Sequence, residues 1–240
     1  MSGWFGLLGS GEFQPWSRAV DDWILERVTG DGRVLVLPTA SAPEGDEVFV
    51  RWATSGLEHF TAAGVPAEVL DVRDRTDAED LALAGRVVGA SVVYFSGGNP
   101  VHLAKTLAET ALWRAVLSGL DRGMGYIGCS AGMACLGRKA PDSTVDQLGP
   151  DLWQPGLGLF PRAWLGPHWD VLEHFLPGIV EHLTQTVPAE DELVGVDEQT
   201  AIVGDGARWQ VVGRGGVHVR HGQQWSRHGA GETVSVSLSG

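Results

Sequence analysis

The sequence predicts an α/β protein, a three-layer α/β/α sandwich with a mostly parallel sheet and antiparallel hairpins near its C-terminal end. Three observations predict it. Short apolar or β-branched runs alternate with longer amphipathic ones through the first two-thirds of the chain, the order that puts crossover helices between parallel strands. Several of those runs stop at clusters of small residues: "GSGE" at 9–12, "SGGN" at 96–99 and "GCSAG" at 128–132. After about Gly204 the pattern shortens to "ARWQVVG", "GVHVRHG" and "TVSVSL", alternating stretches separated by glycines that read as hairpins.

Taken in order, "WFGLLGSG" is the first strand and "SRAVDDWILERV" the first helix. A second strand in "RVLVLPTA" precedes a long helix in "GDEVFVRWATSGLEHFTAAG", and "AEVLDV" and "SVVYFSGG" continue the sheet. One helix is expected over "PVHLAKTLAETALWRAVLSGL", after which "GYIGCS" forms a strand that turns into "AGMACLG". Ligands of open parallel sheets bind at the carboxyl ends of the strands, so the three small-residue clusters are expected to open on one edge.

Composition narrows the function. At 240 residues and 43% hydrophobic content, the chain suits one domain spanning 1–240. Its net charge of −13 opposes the counterion-release binding on which nucleic-acid proteins depend, and it gives no basic patch for an anionic membrane. The opening "MSGWFGLLGSGEF" has no basic n-region and too short an apolar run for a signal peptide, and no 18 apolar residues run together. A cytoplasmic protein is expected, with its two cysteines, Cys129 and Cys135, reduced and used for packing. Oligomeric state is left open, a homodimer included.

The stretch "GYIGCSAGMACLG" carries the pattern G-x-S-x-G across Gly128, Ser130 and Gly132. A chain with 34 glycines meets that pattern by chance about 0.3 times, so the motif needs its setting. The setting is a strand followed by a helix, in which a sharp bend exposes a serine and neighbouring glycines avoid collisions. A serine in this position also serves as an ordinary helix N-cap. Acting as a nucleophile, Ser130 needs a base within hydrogen-bond reach and a third group to orient that base.

Four blocks supply the wider context: "YFSGGNPVHLAKTL", "GYIGCSAGMACLG", "PGLGLFPRAWLGPHWD" and "LVGVDEQTAIVGDG". In order and spacing they resemble the peptidase E and cyanophycinase family of serine peptidases. That resemblance implies a flavodoxin-like, class I glutamine amidotransferase-like fold and a Ser-His-acid site that hydrolyses small peptides. It matches Ser130 to the nucleophile, His168 to the general base and Glu198 to the acid. Asp170, two residues from His168, and Asp142 and Asp146 after the elbow remain alternative acids. The N–H groups of Ala131 and of the Gly97–Gly98 turn are the expected oxyanion donors, with Gly97, Asn99 and Trp169 as substrate contacts.

One departure bears on specificity. Asp-specific relatives read the substrate carboxylate with arginine after the catalytic histidine, whereas "WDVLEHFLPGIVEHLTQTVP" has neither arginine nor lysine. A neutral or basic substrate flank is expected instead, since bidentate arginine is the usual partner of a buried carboxylate. Were acidic specificity kept, Arg138 or Arg162 would have to read it. Trp153, Trp164 and Trp169 bracket the proposed base as pocket walls or as core.

No cofactor is expected. "GSGE" does not complete a dinucleotide fingerprint, and no P-loop occurs. Asp170, His174 and His182 on an expected helix, and His218 and His221 on a hairpin, lack metal-site spacing. Cys129 fails as a rival nucleophile because Ile127 and Ala131 stand where its flanking glycines would be. Two other functions compete: an α/β-hydrolase esterase using Ser130 with Asp197 or Asp205 and His218, His221 or His228, and a non-catalytic binding protein on the same fold.

Overall fold

The structure, a computed structural model, describes residues 3–236. The main sheet begins with β1 (Trp4–Leu8), β2 (Val34–Leu37), β3 (Ala67–Val69), β4 (Val92–Phe95) and β5 (Gly125–Cys129). These five are mutually parallel, in the order β1-β5-β4-β2-β3. Helices α1 (Arg18–Leu25), α2 (Asp46–Ala62), α3 (Arg75–Glu79), α4 (Leu81–Arg86), α5 (Pro100–Leu107), α6 (Ala111–Asp121) and α7 (Ala131–Ala134) lie between or after them. The remaining chain forms β6 (Gly137–Pro141), β7 (Trp153–Pro155), β8 (Phe160–Gly166), the short helices α8 (Leu172–Phe175) and α9 (Ile179–Thr186), and β9 (Glu192–Val196). It closes with β10 (Thr200–Gly204), β11 (Trp209–Gly213), β12 (Gly216–His221), β13 (Gln224–Gly229) and β14 (Thr233–Val234).

The three layers follow from side-chain alternation along fully buried strands. In β2, Leu35 and Leu37 enter one apolar cluster while Val34 and Val36 enter another; in β4, Val93 and Phe95 divide from Val92 and Tyr94 in the same way. Helices α1 and α2 cover one face through Val20, Ile24 and Phe60. Leu103 and Leu107 of α5 and Val116 and Leu120 of α6 cover the other.

Strands β10, β11 and β14 extend the main sheet antiparallel beyond β1, giving eight strands. The hairpin reading after Gly204 thus holds for β11 and for the β12–β13 pair, and the end of "TVSVSL" lies outside the described residues. A second sheet is new: β13-β12-β9-β8-β6-β7, with β6, β8 and β9 parallel at its centre. One face joins the main core through Ala163, Leu165, Val194 and Val196. Its other face carries Trp164, Trp169 and Leu193, which pack with Ile179 and Leu183 of α9.

Two expected helices are broken. The 100–120 stretch is interrupted where Glu109 takes φ +60° and the Thr110 hydroxyl accepts the Trp113 N–H to start a new helix. Residues 169–188 divide into a 3₁₀ turn, α8 and α9, because Pro177 cannot continue a helix and Gly178 takes φ +83°. No helix among the described residues is long and apolar enough to cross a membrane.

Candidate active site

Strands β1, β5 and β4 are adjacent and parallel, so their carboxyl ends share one edge. There the bend after β5 puts Ser130 at φ +50° and ψ −105°, a conformation that costs a non-glycine residue roughly 1–3 kcal/mol. The flanking glycines are obligatory for steric reasons. A Cβ on Gly128 would strike the Gly132 carbonyl, and one on Gly132 would strike the Phe95 carbonyl. Although Ser130 occupies the N-cap position of α7, its hydroxyl makes no capping bond.

That hydroxyl stands 2.9 Å from His168 Nε2, and His168 Nδ1 stands 3.0 Å from Glu198 Oε1. The second sheet sets up this meeting. Strands β8 and β9 pair in parallel with Gly166 opposite Gly195, so His168 and Glu198 emerge from equivalent ends of neighbouring strands. Pro167 carries the chain outward, and His168 adopts a left-handed φ of +54° that turns its ring toward Ser130. The side chains of His168 and Glu198 keep 27% and 42% of their surface exposed, so both are reachable from solvent.

None of the other candidate acids bonds His168, although Asp142 and Asp146 line the same cavity as its ring. Asp170 Oδ1 accepts the backbone N–H of Glu198 at 2.8 Å, supporting the turn that carries that carboxylate. Asp142 accepts from Thr144 and, at 3.4 Å, from Asn99. Its partial burial opposes ionisation, yet the Thr144 and Asn99 donors prevail and hold its carboxyl below the usual range. The late histidines also face other groups: His218 meets Asp197, His221 meets Glu192, and His228 meets Ser226.

Gly98 has φ +139°, and a Cβ there would run into the backbone of Ala40 and Ser41. Among the described residues, neither its N–H nor that of Ala131 finds an acceptor, and Gly98 lines the same cavity as Ser130. Asn99 caps α5 through the His102 N–H. Gly97 is tied down by a residue to which sequence reasoning gave no role. The buried carboxylate of Glu12 accepts the Gly97 N–H at 2.8 Å and the Cys129 thiol at 2.8 Å, clamping the 97–98 turn to the end of β5. A lone acid at the end of "GSGE", among small residues, was the available signal. Burial, reinforced by Glu12, pushes the Cys129 thiol well up, and burial pushes Cys135 up to about 12; both are free thiols with no thiolate character at neutral pH.

Beside Ser130 and His168 opens a cavity of about 490 Å³ between the outer face of the second sheet, α8–α9 and the 141–146 loop. Trp153 and Trp164 line it. Trp169 is instead buried against Gly166, Gly195 and Trp225. Neither arginine considered for carboxylate recognition reaches the cavity: Arg138 pairs with buried Asp191 at 2.9 Å, and Arg162 bonds the Glu190 carbonyl. His182 accepts the Trp153 indole N–H, and no three metal-ligating side chains cluster among the described residues.

A strand-to-helix bend that holds a serine before an imidazole, on a parallel sheet covered by helices, is the architecture of serine-type hydrolases. The chain belongs to peptidase family S51, whose family model matches residues 5–212. A cyanophycinase of Synechococcus elongatus is 30% identical over 232 residues, which cover 88% of this chain and 66% of that protein. For a cyanophycinase of Geminocystis herdmanii the values are 24% over 218 residues, 83% and 74%. The chain therefore spans only about two-thirds to three-quarters of those relatives. Among solved structures, a peptidase from an acI-B1 Actinobacterium superposes with a TM-score of 0.89 at 30% identity, covering 98% of both chains. A putative peptidase E protein from Listeria monocytogenes EGD-e shares the fold, with a TM-score of 0.63 at 19% identity over 88% of this chain and 98% of that one.

Proposed function

We propose that the protein is a serine peptidase of small peptides that works through Ser130, His168 and Glu198. The observation that carries this reading is the pair of contacts on His168, 2.9 Å to the Ser130 hydroxyl and 3.0 Å to Glu198. Glu198 accepts a hydrogen bond from the His168 Nδ1–H, which fixes the tautomer whose bare Nε2 can receive the serine proton. As that proton leaves, Oγ attacks the peptide carbonyl, and the N–H groups of Gly98 and Ala131 stabilise the resulting oxyanion. His168 then returns the proton to the departing amine. Water, activated by the same nitrogen, hydrolyses the acyl-enzyme.

The shared apolar core of the two sheets leads us to read residues 1–240 as one hydrolase unit. Two free, buried cysteines fit a reducing compartment, and we assign the enzyme to the cytoplasm. Specificity is for a neutral or basic flank, because no lysine or arginine lines the cavity among the described residues. Hydrolysis of Asp-X, Ala-X and β-aspartyl-arginine dipeptides tests this, and a clear preference for Asp-X would overturn it. For the chemistry, Ser130→Ala should lower turnover by about 10⁴–10⁶. A variant that keeps more than about a tenth of the wild-type rate contradicts the role of Ser130, since a nucleophile's loss is never so mild.

A further inference from the structure

We infer that the cavity beside Ser130 is a specificity pocket for one large apolar side chain, of the phenylalanine or leucine class, on a residue flanking the scissile bond. The inference rests on the serine peptidase reading above and adds the substrate class. Four features of the pocket carry it.

Its inner wall is carbon. Leu152, Ile179, Leu183 and Leu193 line it from three separate stretches of chain. The two tryptophans in the wall have their polar atoms engaged by residues outside the lining: Trp164 donates its indole N–H to Asp191 at 3.2 Å, and Trp153 donates to His182 at 3.2 Å. What these rings offer a ligand is therefore hydrocarbon surface.

The wall is also preformed. Trp153 and Trp164 pack edge to face at 5.2 Å. Buried Arg220 clamps the end of α9 through the carbonyls of Thr184, Val187 and Pro188, at 2.7–3.0 Å. At about 490 Å³ the space lies within the usual range of small-ligand sites, about 300–1,000 Å³, so a methyl group would leave most of it unfilled.

Charge argues in the same direction. The ionisable groups in the lining, apart from His168, are Asp142 and Asp146, both on the solvent-facing 141–146 loop. They repel an acidic substrate side chain. Asp142 is already engaged by Thr144 and Asn99, and the deep wall holds no carboxylate to receive a lysine. Finally, the Ser130 hydroxyl and His168 lie in the same lining, so a side chain filling the pocket is attached to a residue at the reacting bond.

The test uses the full-length protein with two dipeptide series, X-Ala and Ala-X, where X is Ala, Leu, Phe, Asp or Lys, together with acylation by p-nitrophenyl acetate. The small ester reports Ser130 independently of the pocket. We expect kcat/KM in one series to be roughly 10–100-fold higher for Phe or Leu than for Ala, with Asp the poorest. Filling the pocket by Leu183→Trp, or in a second variant by Ile179→Phe, should cut the Phe/Ala ratio about tenfold. Acylation by the acetate ester with no preference for Phe or Leu in either series, or with Lys or Asp preferred, overturns the pocket assignment and leaves the peptidase reading standing. Absence of Ser130-dependent acylation overturns both.

Discussion

Asp197 and Glu198 are consecutive residues between β9 and β10, and each faces a histidine. Asp197 Oδ1 stands 3.1 Å from His218 Nε2, and Glu198 Oε1 stands 3.0 Å from His168 Nδ1. The first pair is locked into the second sheet: Asp197 is 5% exposed and also accepts the Gly216 N–H at 2.7 Å. In the second pair the carboxylate projects from a strand end and stays 42% exposed, while the two imidazoles are about equally exposed, 27% for His168 and 25% for His218. The His168 imidazole, held in a left-handed backbone, meets the hydroxyl of a second strained residue, Ser130. A carboxylate beside an imidazole is thus a structural device when the sheet confines the carboxylate. What distinguishes the other pair is a serine hydroxyl on the far nitrogen and a positive-φ backbone at both His168 and Ser130.

The two pairs should separate in mutants. His168→Ala is expected to lower turnover by about 10⁴–10⁶, whereas His218→Ala should leave kcat within about threefold; steady-state peptide hydrolysis measures both. Equal losses would erase the distinction. Glu198→Gln should reduce kcat/KM by about 10²–10⁴ and change unfolding free energy by under about 0.5 kcal/mol, since the side chain is partly exposed. Asp197→Asn should do the reverse, costing about 1–3 kcal/mol in urea denaturation through weakened bonds to Gly216 and His218, with kcat/KM nearly unchanged.

Glu12 is a third carboxylate and sharpens the contrast, because it is buried like Asp197 yet belongs to the site. Glu12→Gln should lower kcat about tenfold at unchanged KM, as the clamp that joins the 97–98 turn to the end of β5 is weakened. An effect on stability alone would assign Glu12 to the scaffold. The smallest effect concerns Asp142. Its folded pKa is depressed, so its ionised form contributes stability above the unfolded value near 3.8, and that contribution is lost as pH falls through the folded value. Asp142→Asn should therefore be slightly less stable than wild type at pH 7, with the gap closing below about pH 4 in a pH series of thermal melts.

Much of the main sheet was legible because its strands are short, β-branched and buried on both faces, and because "GSGE", "SGGN" and "GCSAG" mark their ends. Those three clusters do converge, through the Gly97–Glu12 and Ser130–Leu8 contacts. The second sheet was legible only in its β12–β13 hairpin. Its strands "GRKAP", "WQP" and "FPRAWLG" carry proline or glycine and little alternation, and their pairing spans long sequence separations that no local pattern encodes. Glu109 broke an apparently continuous helix for the same reason: one residue at positive φ leaves hydrophobic periodicity unaltered. Ser130, His168 and Glu198 could be named from their blocks. The cavity could not, because Leu152, Ile179 and Leu193 become neighbours only once α9 folds over β8 and β9.

Covalent labelling with a small fluorophosphonate, followed by peptide mapping, tests the central contrast most directly. Labelling is expected at Ser130 in the wild type and in His218→Ala, and should be nearly abolished in His168→Ala, because the His168 imidazole is the one that stands 2.9 Å from that hydroxyl. Undiminished labelling of His168→Ala, or a folded wild type that takes up no label at Ser130, would contradict the account.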